Sequence, residues 1–106
     1  MSLEISPTQA GARIVGELDL GTAPQLKQFL SEEPNADERL ELDISELSFM
    51  DSSGLEVFLR QAATRTDQAP LVLMNPTRAV LRVFEIAVPG GVQGLRLEPN
   101  GSTAGR

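Results

Sequence analysis

The sequence has no cysteine, no histidine, no tyrosine and no tryptophan, and a single lysine, Lys27. Without cysteine there is no disulfide framework, no thiol nucleophile and no thiolate metal ligand. Without histidine the commonest general base, the Ser-His triad and the commonest transition-metal ligand are all missing. Any aromatic stacking surface would have to be built from four Phe. No apolar run approaches the roughly 20 residues that cross a bilayer, and the first residues carry no basic region leading into an apolar stretch, so neither a signal peptide nor a membrane anchor is expected. The cytoplasm is the expected compartment. Together these absences point away from enzymes, and neither a cofactor nor a metal is expected.

What is present describes an ordinary folded domain. The chain has 106 residues, 41% of them hydrophobic and 23% charged, which suits one compact unit with one core. Fifteen acidic residues against nine basic ones leave a net charge of −6. That sign repels phosphate backbones, so nucleic acid is not an expected partner. It favours solubility as a monomer or weak dimer and suits a basic protein partner.

Hydrophobic patterning gives the element order β-β-α-β-α-β-α-β. Residues 3–6 and 13–18 read as strands joined closely enough for an antiparallel hairpin. Thr22 and Pro24 mark a helix start; Ala23, Leu26, Phe29 and Leu30 share its inner face, and Pro34 and Asn35 stop it. Arg39-Leu40-Glu41-Leu42-Asp43-Ile44 alternates strictly, so one sheet face is covered and the other partly wet. Residues 45–51 read as a loop. Leu55, Phe58, Leu59 and Ala62 form one helical stripe. Leu71-Val72-Leu73-Met74 is a short central strand, after which Asn75 and Pro76 are expected to open a third helix with Val80, Leu81 and Phe84 inward. Residues 95–98 alternate as a last strand, and 99–106 read as a flexible tail. Strands joined through helices favour parallel pairing with right-handed crossovers. The expected fold is therefore a small mixed α/β sheet with helices mainly on one face, a single domain over 1–98.

Chemistry concentrates in Phe49-Met50-Asp51-Ser52-Ser53-Gly54-Leu55. Asp51 suits an N-cap, which places Ser52 and Ser53 in the first helical turn. Free N–H groups and the helix dipole there favour a negative group, such as a bound anion or a covalent phosphate. The same residues also serve as plain capping chemistry. A serine hydrolase lacks its partners here: there is no histidine, no Gly-x-Ser-x-Gly elbow and no phosphate-cradling loop. The acidic residues show no EF-hand spacing. A helical wheel turns Ser53 further from the apolar stripe than Ser52.

Gly16-Glu17-Leu18-Asp19 with Thr22-Ala23, and Leu42-Asp43-Ile44 through Leu47-Ser48-Phe49-Met50-Asp51-Ser52-Ser53-Gly54-Leu55, together resemble the STAS domain. More closely they resemble the bacterial anti-sigma-factor antagonists, also called anti-anti-sigma factors, with matching element order from about residue 3 to residue 98. The resemblance implies a phospho-regulated binding module in transcriptional signal transduction. Its partner would be an anti-sigma factor with serine kinase activity, and a PP2C-type phosphatase would reverse the modification. It makes Ser52 the phosphoacceptor. It implies a partner surface of Asp19, Thr22, Asp51, Ser52, Ser53, Gly54 and Glu56. Many relatives have a small residue where Glu56 stands, and many carry a C-terminal helix for which 99–106 is a poor candidate. The alternatives are a STAS adaptor subunit of a lipid or anion transporter, or a scaffold of a stress-signalling complex; a STAS protein binding a nucleotide or other small ligand is a further class.

Overall fold

The computed structural model describes residues 2–32 and 37–99. The elements run β1 (Leu3–Pro7), β2 (Gly11–Leu18), α1 (Ala23–Ser31), β3 (Leu40–Met50), α2 (Ser52–Ala62), β4 (Leu71–Met74), α3 (Arg78–Ala87) and β5 (Leu95–Glu98). The five strands lie in the order β1-β2-β3-β4-β5. β1 is antiparallel to β2, and β2 through β5 are mutually parallel. Each helix thus carries the chain one strand further in the same direction. Right-handed crossovers then put all three helices on one face. A single core results, with Leu26 and Leu30 of α1, Leu55 and Phe58 of α2, and Val80 and Phe84 of α3 packed over Leu42, Ile44, Leu71 and Leu73. The Phe58 and Phe84 rings meet with centroids 6.2 Å apart.

The opposite face is polar, as the alternation of β3 requires. Arg13, Asp43, Met74 and Glu98 stand in one register row, and Gly11, Glu41, Val72 and Arg96 in the next. Arg13 pairs with Glu46, and Arg39 bridges Glu41 at 2.7 Å and Glu98 at 3.4 Å. The hydrogen bond to Glu41, reinforced by both carboxylate charges, holds the Arg39 guanidinium above its usual pKa. Val72, flanked in register by Glu41 and Arg96, is fully buried. Long charged side chains cover apolar surface in this way while keeping their heads in water.

Three local readings of the sequence change. The span 45–51 is not a loop: β3 continues to Met50. Its register against β2 slips twice, between Arg13 and Val15 and between Gly16 and Glu17, and each slip gives β3 one extra residue. Such bulges lengthen the spacing of inward residues. The buried positions accordingly change from every second residue (Leu40, Leu42, Ile44) to every third (Leu47, Met50). A search for period two stops at Ile44. Gly16 sits at the second slip with φ +119°, where a Cβ would lie 2.3 Å from the Ser2 carbonyl oxygen. Secondly, α3 is capped by Thr77, whose hydroxyl accepts from Val80 N–H at 3.3 Å, while Asn75 occupies a left-handed turn at φ 58°. Asn tolerates that conformation because its short amide bonds locally. Thirdly, Val83 rather than Leu81 packs on the core beside Val80 and Phe84. The expected stop at Pro34 and Asn35, and the tail beyond Pro99, lie outside the described residues.

Candidate functional site

Leu18 and Met50 end neighbouring parallel strands and are register partners. The chain leaves both at the same edge of the sheet, and each strand leads into a helix. Asp51 N–H donates to the Leu18 carbonyl at 3.1 Å, joining the two exits. Asp19 and Asp51 therefore stand at equivalent places in adjacent junctions, the strand ends where open parallel sheets commonly form their sites.

At the β3–α2 junction Asp51 is the N-cap in an extended conformation. Its Oδ1 accepts from Ser53 N–H at 2.9 Å and Gly54 N–H at 3.2 Å, and its carbonyl accepts from Leu55 N–H at 3.0 Å. The carboxylate is occupied in holding the helix start, so it is not poised as a base for its neighbour. Ser52, the first helical residue, is exposed, whereas Ser53 is half-buried. Among the described residues the Ser52 hydroxyl makes no hydrogen bond. The helical wheel misjudged this pair because it ignored the neighbouring helix: Ser53 faces α1 and Ser52 does not. Gly54 is required by packing. A Cβ there would come within 2.4 Å of Leu18 Cγ and 3.0 Å of Met50 Cγ.

At the β2–α1 junction the same residue types are wired inward. Asp19 Oδ1 accepts from Gly21 N–H and Thr22 N–H, both at 3.0 Å. Thr22 is buried; its hydroxyl donates to the Glu17 carbonyl at 2.8 Å and accepts from Asp19 N–H at 2.9 Å. Thr22 precedes α1 but does not cap it through its side chain. The helix start is held instead by Asp19, whose carbonyl accepts from Ala23 N–H at 2.8 Å.

Between α1 and α2 lies an open groove of about 670 Å³. Leu20, Ala23 and Pro24 line one side and Ser53, Glu56 and Val57 the other, with Lys27 and Arg60 also on its wall. Glu56 pairs with Arg60 at 2.8 Å, both well exposed. Leu20 is 76% exposed. Of the residues singled out from the sequence, Asp51, Ser52, Ser53 and Gly54 sit together, Glu56 follows one turn on, and Asp19 and Thr22 lie across the Leu18 bond. Leu20 and Lys27 were missed. Leu20 could have been found as an apolar residue stranded between turn residues, whereas nothing local marks Lys27.

The family model described as "Mlab, STAS domain" matches residues 1–94. Two curated proteins named anti-sigma-B factor antagonist, from Listeria monocytogenes and Listeria innocua, are each 37% identical over 75 residues. The match covers 69% of this chain and 66% of each relative, just under two thirds of their length. Among solved structures, a Thermotoga maritima protein described as a "putative anti-sigma factor antagonist" superimposes with a TM-score of 0.73 at 17% identity, covering 96% of this chain and 90% of that one. The anti-sigma factor antagonist SpoIIAA in its unphosphorylated form gives 0.63 at 20% identity, covering 98% and 94%. These two establish the likeness of fold.

Proposed function

The chain belongs to the STAS domain family, and we propose that within it this chain works as an anti-sigma-factor antagonist, a phospho-regulated binding protein and not a catalyst. The observation that carries this reading is the Ser52 hydroxyl. It is exposed at the first position of α2, beside an Asp51 already committed to the cap, in a chain similar to proteins named anti-sigma-B factor antagonists. The unmodified protein binds an anti-sigma factor across the junctions of β2–α1 and β3–α2, with Asp19, Ser52, Ser53 and Glu56 at the contact, and so releases a sigma factor. The anti-sigma factor is also a serine kinase. It transfers the γ-phosphoryl group of ATP to Ser52 Oγ; the O–P bond forms, ADP leaves, and the hydroxyl proton passes to a base on the kinase. A PP2C-type phosphatase hydrolyses the ester. With these partners the protein works in the cytoplasm.

The physics of the switch is local. Phosphate adds about −1.5 to −2 charges and three acceptor oxygens. At a helix N-terminus the fold tolerates that charge, but a partner packed on Ser52 would have to bury a hydrated dianion. Release without unfolding follows. An adaptor that only steadies a transporter's ATPase has no use for a phosphorylatable hydroxyl here, and Ser52 favours the switch over that reading. The test pairs two variants with the candidate anti-sigma kinases of the same genome. Ser52→Asp should weaken binding by about thirtyfold or more, the scale of a hot-spot loss, with an unchanged thermal midpoint. Ser52→Ala should bind and take no phosphate. Binding of Ser52→Asp at wild-type strength, or full labelling of Ser52→Ala, would overturn the assignment.

A further inference from the structure

β5 is an edge of the sheet: among the described residues it pairs only with β4. Gly94 and Glu98 direct their carbonyls at β4, accepting from Leu71 N–H at 2.8 Å and Asn75 N–H at 2.9 Å. In a parallel ladder every second residue bonds to the same neighbour, so Arg96 also turns to β4 and the residues alternating with these three point their backbone groups the other way. Leu95 and Leu97 therefore face outward. Leu95 N–H is taken up within the preceding turn by Val92 at a long 3.4 Å, which leaves Leu97 with both N–H and C=O open, among the described residues, to extend the sheet. An edge of this kind invites another strand unless something blunts it. β5 contains no proline and no lysine, and Pro99 follows only after its last residue.

We propose that β5 pairs antiparallel with β5 of a second copy of this chain, centred on Leu97 opposite Leu97, so that the two sheets become one. The register follows from charge. Arg96 and Glu98 share the polar face of the sheet, and Leu95 and Leu97 the helix face. Outward-facing residues must form the hydrogen-bonded pairs, so the two-fold axis can pass through Leu97 or between Leu95 and Leu97. The second choice sets Arg96 directly against Arg96, which is destabilising. The first sets Arg96 against Glu98 twice, at non-hydrogen-bonded positions where side chains approach most closely. It also brings the two Leu97 side chains together beside a shallow apolar cavity of about 170 Å³ that Phe84, Val88 and Val92 line. Each Glu98, now 3.2 Å from its own Arg96, can take up the copy's Arg96 without losing Arg39. A self-matching edge closes as a dimer and leaves no growing end at β5. The contact is short, and so is of the transient kind.

Sedimentation equilibrium of the full chain, from about 10 to 500 µM near 0.15 M salt, should show a reversible monomer–dimer equilibrium. Arg96→Glu and Glu98→Arg each oppose like charges twice and should weaken dimerisation about tenfold or more. Mixed in equal amounts, the two variants restore an acid against a base at both cross-strand pairs, because one copy is then acidic at positions 96 and 98 and the other basic at both. They should form a heterodimer of wild-type strength. The double variant that exchanges the two residues within one chain should also recover. The Leu97 amide should shift with concentration in the wild type. Wild type that stays monomeric throughout, single variants that dimerise normally, a mixture no stronger than its components, or a Leu97 amide protected independently of concentration would each overturn the proposal. The last result would mean that residues of the same chain cover the edge.

Discussion

Two junctions lie side by side in this molecule and are built from the same residue types, yet they treat their hydroxyls in opposite ways. At the β2–α1 junction Thr22 is buried, and its hydroxyl both donates and accepts within the turn. At the β3–α2 junction the carboxylate of Asp51 satisfies the helix N-terminus by itself, and Ser52 is left exposed. In the first case the hydroxyl holds the backbone together. In the second the backbone is already held, so the hydroxyl can be modified or covered by a partner without loosening the fold. A reactive or regulatory group can be exposed safely where a neighbour has taken over its structural duty.

The largest effect tests whether the two junctions share one base. Phe58 is fully buried in the middle of α2 and meets Phe84. Phe58→Ala should cost about 3–5 kcal/mol, a large part of a small domain's stability, read as a lowered urea midpoint. Hydrogen exchange then sharpens the comparison. If the junctions are separable, the amides of Ser53 and Gly54 lose protection before those of Gly21 and Thr22. Equal loss at both would make them one cooperative unit through the Asp51–Leu18 bond.

The next effect sets the two hydroxyls against each other. Thr22→Val keeps the shape but removes the group that serves the Glu17 carbonyl and the Asp19 amide. Leaving buried polar groups unpaired costs about 1–3 kcal/mol. Ser52→Ala removes an exposed hydroxyl without a partner among the described residues and should stay within about 0.5 kcal/mol of wild type. Thermal denaturation of both variants under one condition measures the difference. Equal destabilisation would erase the contrast between the junctions.

The sequence showed the element order, the covered and wet faces of the sheet and the Asp51 cap, because each rests on a short periodic pattern or on a residue type with one strong local preference. The far half of β3 stayed hidden, since its two bulges are imposed by pairing with β2 and erase the period-two signal after Ile44. The exposure of Ser52 relative to Ser53 was hidden for a related reason: α1, distant in sequence, lies against one side of α2. The assignment of Ser52 as phosphoacceptor follows from family resemblance alone; the packing of α1 accounts for its exposure. Thr22 read as an ordinary helix cap. Its inward hydrogen bonds depend on the shape of the whole turn, which no local preference dictates.

The smallest effect concerns Glu56, whose carboxylate lies one helical turn beyond Ser52, at the i+4 spacing that brings side chains together. In the unmodified protein Glu56 pairs with Arg60 at 2.8 Å, and both side chains are well exposed. Exposed pairs of this kind contribute about 0.3–0.5 kcal/mol, so Glu56→Gln should lower unmodified stability slightly or not measurably. With phosphate on Ser52 the balance changes sign. The dipole at the helix start still favours the anion, but Glu56 opposes it with a like charge that Arg60 only partly neutralises. Removing that charge should therefore raise the stability of the phosphorylated protein relative to phosphorylated wild type. The gain should fade with salt, since exposed charges are screened over about 8–10 Å at ordinary ionic strength. Thermal midpoints of both proteins, with and without phosphate, across a salt series give the answer directly. Equal phosphorylation-induced shifts at low salt would mean that Arg60 neutralises Glu56 fully. The contrast between the two junctions would then rest on Ser52 and its cap alone, with no contribution from the groove beyond them.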